Sequence, residues 1–113
     1  MVVNAGAFDP EGLADAVRAE IDTAAVSLAV AHIDGDDLLD RLDELRDAGH
    51  SFGHLDTDEP FTGEGENPLA ANPLAANAYL GGWGITAALA DGADIVICGR
   101  VTDASSLVLG PAA

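Results

Sequence analysis

Three short apolar runs constrain the fold of this chain more than any other feature. They are Val2–Val3, Val26–Ile33 and Ile95–Cys98. Runs of this length are typical of buried strands, and the segments between them carry apolar residues at helical spacing. Alternating strands and helices favour a parallel sheet with right-handed crossovers and helices on its faces. The sequence therefore predicts an α/β fold, with a partial three-stranded parallel sheet and flanking helices.

The first helix has a clear start. Asp9 followed by Pro10 is typical of a helix N-terminus, with an acidic N-cap and proline in the first turn. Leu13 and Val17 then fall on one face. This pattern predicts a helix over residues 10–22.

A second helix is predicted to begin at Asp36 as its N-cap and to end at Gly49. Asp37 and Arg41 stand at i, i+4 spacing, which favours an ion pair along the helix surface. The predicted buried stripe consists of leucines at helical spacing: Leu38, Leu42 and Leu45.

A third helical pattern runs from Ala75 or Ala78 to Ala90. Its first half contains three glycines, each of which weakens a helix by up to ~1 kcal/mol relative to alanine. They are Gly81, Gly82 and Gly84.

The region over residues 51–74 lacks periodicity and is rich in Gly, Pro, Asp, Glu and Thr, so we predict an irregular acidic loop there. Near its end NPLAA occurs twice in tandem, at residues 67–71 and 72–76, which favours a local duplication in a surface loop. Aromatic residues make up only 4% of the chain, so the core is thin. We therefore expect residues 1–113 to form a single partial domain, a fragment of a larger α/β domain.

The charge balance excludes several classes of partner. The chain has 20 acidic residues, no lysine and a formal net charge of -16, so it repels phosphate backbones and anionic lipid. We expect neither a nucleic-acid nor a membrane partner, and we expect a halophilic source or, alternatively, an ordinary acidic protein. The single cysteine, Cys98, and the absence of a leader-like start favour a cytoplasmic location. The four cationic residues are Arg18, Arg41, Arg46 and Arg100.

Glycine and polar residues follow each predicted strand. In open parallel sheets, ligands bind at the carboxyl ends of the strands, where loops and helix N-termini converge. Small residues at these positions let backbone amides approach a ligand closely. The candidate ligand-binding residues are Asn4, Gly6, Asp34, Asp36, Asn77, Arg100, Thr102 and Asp103.

Arg100 is distinct among the candidates because it follows an apolar strand directly. Its guanidinium could clamp a carboxylate or phosphate bidentately, or it could pair with Asp34, Asp36 or Asp103 and hold the loops. Thr102 or Asp103 could alternatively cap a following helix.

Metal chemistry has little support in the sequence. Asp34, Asp36 and Asp37 could offer oxygen ligands to Mg²⁺, but Asp36 is better explained as a helix cap. His50 and His54 have i, i+4 spacing, but the surrounding glycines argue against a helix that would align them. We predict no metal site, and the sequence does not identify a cofactor.

Four segments, taken in order, carry a family resemblance: VVNAGAFDPEGLADAVR, GDDLLDRLDEL, ANAYLGGWGI and ADIVICGRVTDASSLVLGPAA. Together they resemble the acyclic terpene utilisation (AtuA-like) family. The resemblance implies an internal segment of the N-terminal α/β domain of a longer polypeptide. It also implies a role in the breakdown of acyclic terpenes and branched acids at the level of acyl-CoA intermediates.

The resemblance supplies no catalytic residues, so the candidate site rests on the strand ends alone. The leading expectation is a catabolic protein that binds an anionic acyl or acyl-CoA ligand, with Arg100 as the clamp and Asp36 or Asp103 as a metal or acid–base group. One alternative is a noncatalytic subunit that docks on an acyl-CoA enzyme or forms a homo-oligomer. Another is a truncated, nonfunctional fragment.

Overall fold

The computed structural model describes residues 1–53, residue 56 and residues 73–102. The chain divides into two units: one contains Met1–Asp36 and the chain from Ala78 onward, and the other is Asp37–Asn77. Most of the predicted loop over residues 51–74 lies outside the described residues. The prediction of a single partial domain over residues 1–113 stays a prediction.

The first unit is built on a parallel sheet of three strands: β1 (Val2–Val3), β2 (Val30–Ile33) and β3 (Ile95–Cys98). The strand order is β1-β3-β2, so β3 is the central strand. Val2 pairs with Val96, and Ala31 pairs with the same residue from the other side. The predicted α/β class and parallel sheet with flanking helices are confirmed.

Two helices of this unit, α1 (Pro10–Thr23) and α3 (Trp83–Ala90), cover β3 from opposite sides. Side chains alternate across a strand, so one face of β3 presents Ile95 and Ile97 and the other presents Val96 and Cys98. The first pair packs with α1 and the second with α3, through two clusters. The α1 cluster contains Ala14, with Leu13, Val17 and Ile21 against it, and the α3 cluster contains Ile85.

Helix α1 begins as predicted and ends one residue later. The Asp9 carboxylate accepts a hydrogen bond from the Gly12 amide at 2.8 Å, which is the expected N-cap contact. At the other end, the amides of Ala25 and Val26 donate to carbonyls of the last helical turn. Strand β2 therefore starts at Val30 rather than at Val26, because the residues after the helix complete its C-terminus.

At the amino end of the sheet, Asp94 ties β2 to β3. Its carboxylate accepts a hydrogen bond from the Ala29 amide at 2.8 Å, and its own amide donates to the Ala29 carbonyl at 2.9 Å. Both residues are exposed to solvent. This contact sets the register at the point where the two strands begin.

Helix α3 starts later than the predicted Ala75 or Ala78. Gly81 has a φ of +73°, a left-handed conformation that a helix interior cannot contain. The amides of Leu80 and Gly81 donate to the carbonyls of Arg100 and Val101 instead of to a helix. The helix therefore begins only at Trp83, after Gly81 and Gly82, and Gly84 lies in its first turn.

In the second unit, the predicted helix is a 3₁₀ turn, Leu39–Arg41, followed by the short helix α2 (Leu42–Asp47). The prediction that Asp36 caps it was wrong, because the Asp37 carboxylate, not that of Asp36, accepts the Leu39 amide at 2.9 Å. Asp37 also forms an antiparallel bridge with Asn77.

The predicted pairing of Asp37 with Arg41 was also wrong. Arg41 lies at 3.0 Å from the Glu44 carboxylate instead, and Asp37 precedes the 3₁₀ turn, so no continuous α-helix aligns Asp37 with Arg41. The predicted leucine stripe is half-buried: Leu38, Leu42 and Leu45. In the described part of the chain, no helix has the length and the hydropathy that a membrane span requires.

Candidate functional site

A cleft of about 150 Å³ opens at the carboxyl edge of the sheet. Asn4 is the first residue after β1 and Arg100 the second after β3, and these parallel strands are neighbours. Their ends therefore meet at one edge, as strand ends do in open α/β sheets. The structure thus brings two of the predicted residues to the same cleft. The residues that line it are Asn4, Ala7, Phe8, Gly99 and Arg100.

The segment after β1 makes a tight turn that requires glycine at position 6. The Gly6 amide donates to the Cys98 carbonyl at 3.1 Å, and a Cβ on Gly6 would lie 2.8 Å from Cβ of Pro10. Ala7 then adopts a φ of +41°, which is uncommon for a residue with a side chain. Gly6 was predicted to offer its amide to a ligand, but in this structure that amide binds the end of β3.

The turn places Phe8 against the cleft with 72% of its surface exposed. A large aromatic side chain beside a cation is an arrangement that suits a ligand with both an apolar and an anionic part. Ala7 and Phe8 were not among the predicted site residues. The sequence signal that could have found them is their position between the predicted end of β1 and the helix cap Asp9.

Asp36 is buried, with only 4% of its surface exposed. Its Oδ2 accepts a hydrogen bond from the backbone amide of Arg100 at 3.0 Å. A Cβ on Gly99 would lie 2.6 Å from that same oxygen and 2.9 Å from the Ala7 carbonyl oxygen. The ends of all three strands therefore meet at Gly99, where there is no room for a side chain.

The guanidinium of Arg100 differs from those of the other three arginines. Arg18, Arg41 and Arg46 each form an i, i+3 ion pair on their own helical segment. Arg100 is exposed at the cleft, and among the described residues its side chain has no ion-pair partner. Of the alternatives predicted for it, pairing with Asp34 or Asp36 is absent from the described structure, and Asp103 lies outside the described residues.

Cys98 is the last residue of β3 and directly precedes Gly99 of the cleft lining. Burial raises the pKa of the Cys98 thiol, and the negative charge of Asp36 adds to that effect. The thiol donates to the Val3 carbonyl at 3.3 Å. A neutral, buried and hydrogen-bonded thiol is a packing group and not a nucleophile.

The remaining predicted residues take different positions. Asp34 and Thr102 are exposed and do not contribute to the lining of the cleft. Asn77 belongs to the second unit, where it bridges Asp37. Asp103 lies outside the described residues. Ligand binding by these candidates stays a prediction.

Metal-ligating side chains do not assemble in the described part of the chain. Among residues 1–53, 56 and 73–102, no group of three or more His, Cys, Asp or Glu is placed to hold an ion. His54 of the predicted histidine pair lies outside these ranges.

Comparison with known families gives one result. The family model described as "Acyclic terpene utilisation family protein AtuA" matches residues 1–113, the whole chain. No curated protein and no solved structure gives a significant match.

Proposed function

The chain belongs to the acyclic terpene utilisation family AtuA, and from that premise we propose that its cleft binds an anionic acyl or acyl-CoA ligand. Membership supports a role in acyclic terpene utilisation in general. The ligand chemistry is inferred from the cleft, and the observation that carries it is the Arg100 guanidinium.

Arg100 is a local exception in a strongly acidic chain. With a formal net charge of -16, the molecule as a whole repels anions. An anion that binds this chain therefore needs a cation that is not already neutralised by an internal carboxylate. As far as the described residues show, Arg100 meets this condition at the cleft, whereas the other three arginines are ion-paired. A guanidinium suits a carboxylate or a phosphate equally, because it can donate two parallel hydrogen bonds to either.

The size of the cleft limits what it encloses. Its volume is about 150 Å³. An engineered protein cavity of roughly the same volume binds one benzene molecule. A single anionic group with a few carbons fits, with the carbons against Phe8 and the charge at Arg100. The remainder of a larger ligand such as an acyl-CoA would extend into solvent.

Calorimetric titration of the chain in molar KCl tests this proposal, because the salt screens the general repulsion of anions. Three probes separate the possible anionic groups: 3-methylbutanoate, 3-methylbutanoyl-CoA and CoA. Saturable binding of 3-methylbutanoate identifies a carboxylate site. Binding of CoA and 3-methylbutanoyl-CoA without binding of 3-methylbutanoate identifies a phosphate site. A chain that binds none of the three contradicts the proposal.

Replacement of Arg100 by alanine should raise the Kd of the bound probe about tenfold or more, since a charge-assisted hydrogen bond contributes ~1.5–3 kcal/mol. The matched control is Arg41→Ala, which removes the same charge from an exposed ion pair in the second unit. Equal Kd values for wild type and Arg100→Ala would exclude Arg100 as the anion contact.

A second candidate function is a noncatalytic subunit that docks on an acyl-CoA enzyme. The observation in its favour is the exposure of Tyr79 and Trp83, at 67% and 75%, within five positions of the sequence. Pull-down in molar KCl with Tyr79→Ser and Trp83→Ser variants tests it. A partner that is lost in these variants, with no change in probe binding, would favour docking over ligand binding.

A further inference from the structure

The Asp36 carboxylate lies at the point where the ends of β2 and β3 meet. It is nearly excluded from solvent, and its Oδ2 is directed at the Arg100 amide, not into the cleft. The backbone carbonyl of Asp36 accepts the Ala78 amide at 2.7 Å. The residue therefore links the end of β2 both to the end of β3 and to the segment that leads into α3.

That same segment holds the other side of Arg100. The Leu80 amide donates to the Arg100 carbonyl at 3.3 Å, and the Gly81 amide donates to the Val101 carbonyl at 3.0 Å. The amide and the carbonyl of Arg100 are thus both hydrogen-bonded, while its side chain extends to the cleft. A fixed backbone limits the directions that the guanidinium can take.

Gly99 makes this arrangement possible. A methyl group at position 99 would meet Oδ2 of Asp36 at 2.6 Å and the Ala7 carbonyl oxygen at 2.9 Å. Either the carboxylate or the turn after β1 would have to move. The absence of a side chain at Gly99 therefore allows the hydrogen bond between Asp36 and Arg100.

We propose that Asp36 is the positioning residue of the anion site, and that it acts by holding the Arg100 backbone so that the guanidinium faces the cleft. This inference rests on the proposed function of Arg100. It replaces the sequence-based roles of Asp36 as a ligand to a metal, an acid–base group or a helix cap. Asp36 itself does not contact the ligand.

Amide hydrogen exchange measured by NMR tests the structural part without any ligand. In Asp36→Ala the Arg100 amide should exchange about tenfold faster, as expected for loss of one hydrogen bond of ~1.5 kcal/mol. Exchange at Ile97, in the middle of β3, should accelerate only as far as the free energy of unfolding falls, so it serves as the reference for global unfolding. The matched control is Asp94→Ala, which removes the corresponding carboxylate at the amino end of the sheet and should leave Arg100 unchanged. Equal exchange at Arg100 in wild type and Asp36→Ala would overturn the proposal.

The Asp36→Asn variant provides a second test in case Asp36→Ala does not fold. Asparagine keeps an acceptor oxygen but loses the charge, so exchange at Arg100 should fall between the rates of wild type and Asp36→Ala. A rate faster than in Asp36→Ala would contradict the positioning role.

A double-mutant cycle with the probe that binds wild type tests the functional part. Asp36→Ala should raise the Kd about tenfold, because the guanidinium loses its preset direction. In the Asp36→Ala/Arg100→Ala double variant the Kd should equal that of Arg100→Ala, since Asp36 acts only through Arg100. Additive losses would show that Asp36 contacts the ligand itself and would overturn the positioning role.

Amide exchange and the double-mutant cycle together distinguish failure of the proposed anion binding from failure of the positioning role of Asp36. If wild type binds no probe, the proposed function fails, and so does the positioning of an anion site that depends on it. The exchange rates then still report whether Asp36 fixes the Arg100 backbone. If the probe binds and the cycle is additive, only the positioning role fails.

Discussion

Two aspartates form the same kind of contact at opposite ends of the β2–β3 pair. At the amino end, Asp94 precedes β3 and accepts the Ala29 amide at 2.8 Å. At the carboxyl end, Asp36 follows β2 and accepts the Arg100 amide at 3.0 Å. Asp94 is exposed, whereas Asp36 is buried. The two hydrogen bonds are of the same type, but the one at the amino end sets the strand register and the one at the carboxyl end positions the cleft.

Burial explains why the two ends differ in their sensitivity. When an exposed hydrogen bond is broken, water replaces the lost partner, but a buried amide that loses its acceptor stays unsatisfied. The carboxyl end also requires glycine at position 99, where there is no space for a side chain. The contact at the amino end has no such requirement. We expect substitutions at the carboxyl end to cost more than their counterparts at the amino end.

The largest effect is expected for Gly99→Ala. The added methyl group meets a backbone oxygen of the turn after β1 as well as the Asp36 carboxylate, and backbone cannot move aside easily. We expect a loss of about 3 kcal/mol in the free energy of unfolding, near the upper end for overpacking. Urea titration followed by far-ultraviolet circular dichroism in molar KCl measures it.

The matched control for this substitution is Gly35→Ala. Gly35 has a φ of +92° but no atom within 4 Å of a Cβ, so alanine there adds backbone strain of ~1–2 kcal/mol without a clash. Equal losses in the two variants would show that crowding at Gly99 does not matter.

The next largest effect is expected for Asp36→Ala. Removal of the carboxylate leaves the Arg100 amide without its acceptor in a part-buried position, so we expect a loss of about 2 kcal/mol. The same urea titration applies. Stability equal to that of wild type would mean that water or another group satisfies this amide.

A smaller effect is expected for Asp94→Ala at the amino end. The Ala29 amide is exposed and can bind water, so the free energy of unfolding should fall by about 1 kcal/mol or less. The comparison between the two ends breaks down if Asp94→Ala costs as much as Asp36→Ala.

The smallest effect is expected from alkaline pH, through Cys98. Burial and the Asp36 charge raise the pKa of this thiol in the folded state, so the folded chain holds the proton at a pH where the unfolded chain releases it. This contribution is complete below the pKa of the unfolded thiol, ~8.5, and is lost as the pH rises above it. The fall in stability between pH 7 and pH 9.5 should therefore be larger in wild type than in Cys98→Ala. An equal fall in both would exclude this coupling.

The sequence was sufficient for the parts of the fold that local patterns determine. The bounds of β1 and β3 match the predicted apolar runs, and α1 starts at the predicted cap. The predictions failed where the partners of backbone amides are distant or irregular. The start of α3 was missed because the amides of Leu80 and Gly81 bind residues 20 positions further along the chain.

The candidate site shows the same division. The strand-end argument was enough to select Asn4 and Arg100, which line one cleft. It could not identify Phe8, because the direction of that side chain depends on the unusual φ of Ala7. The role of Asp36 was equally hidden, since its partner is 64 positions away and a helix cap was the nearest local explanation.

The strand order has a consequence for the folding pathway. Among the described strands, both outer strands pair with β3, which follows them in the chain, and Val2 pairs with the distant Val96. Within this described sheet, the ladders of β1 and β2 cannot form until β3 has been synthesised. Contacts of such high sequence separation require closure of long loops before any ladder forms, which slows folding. Helix α1 can form early, but the sheet beneath it assembles late and in a single step around its central strand.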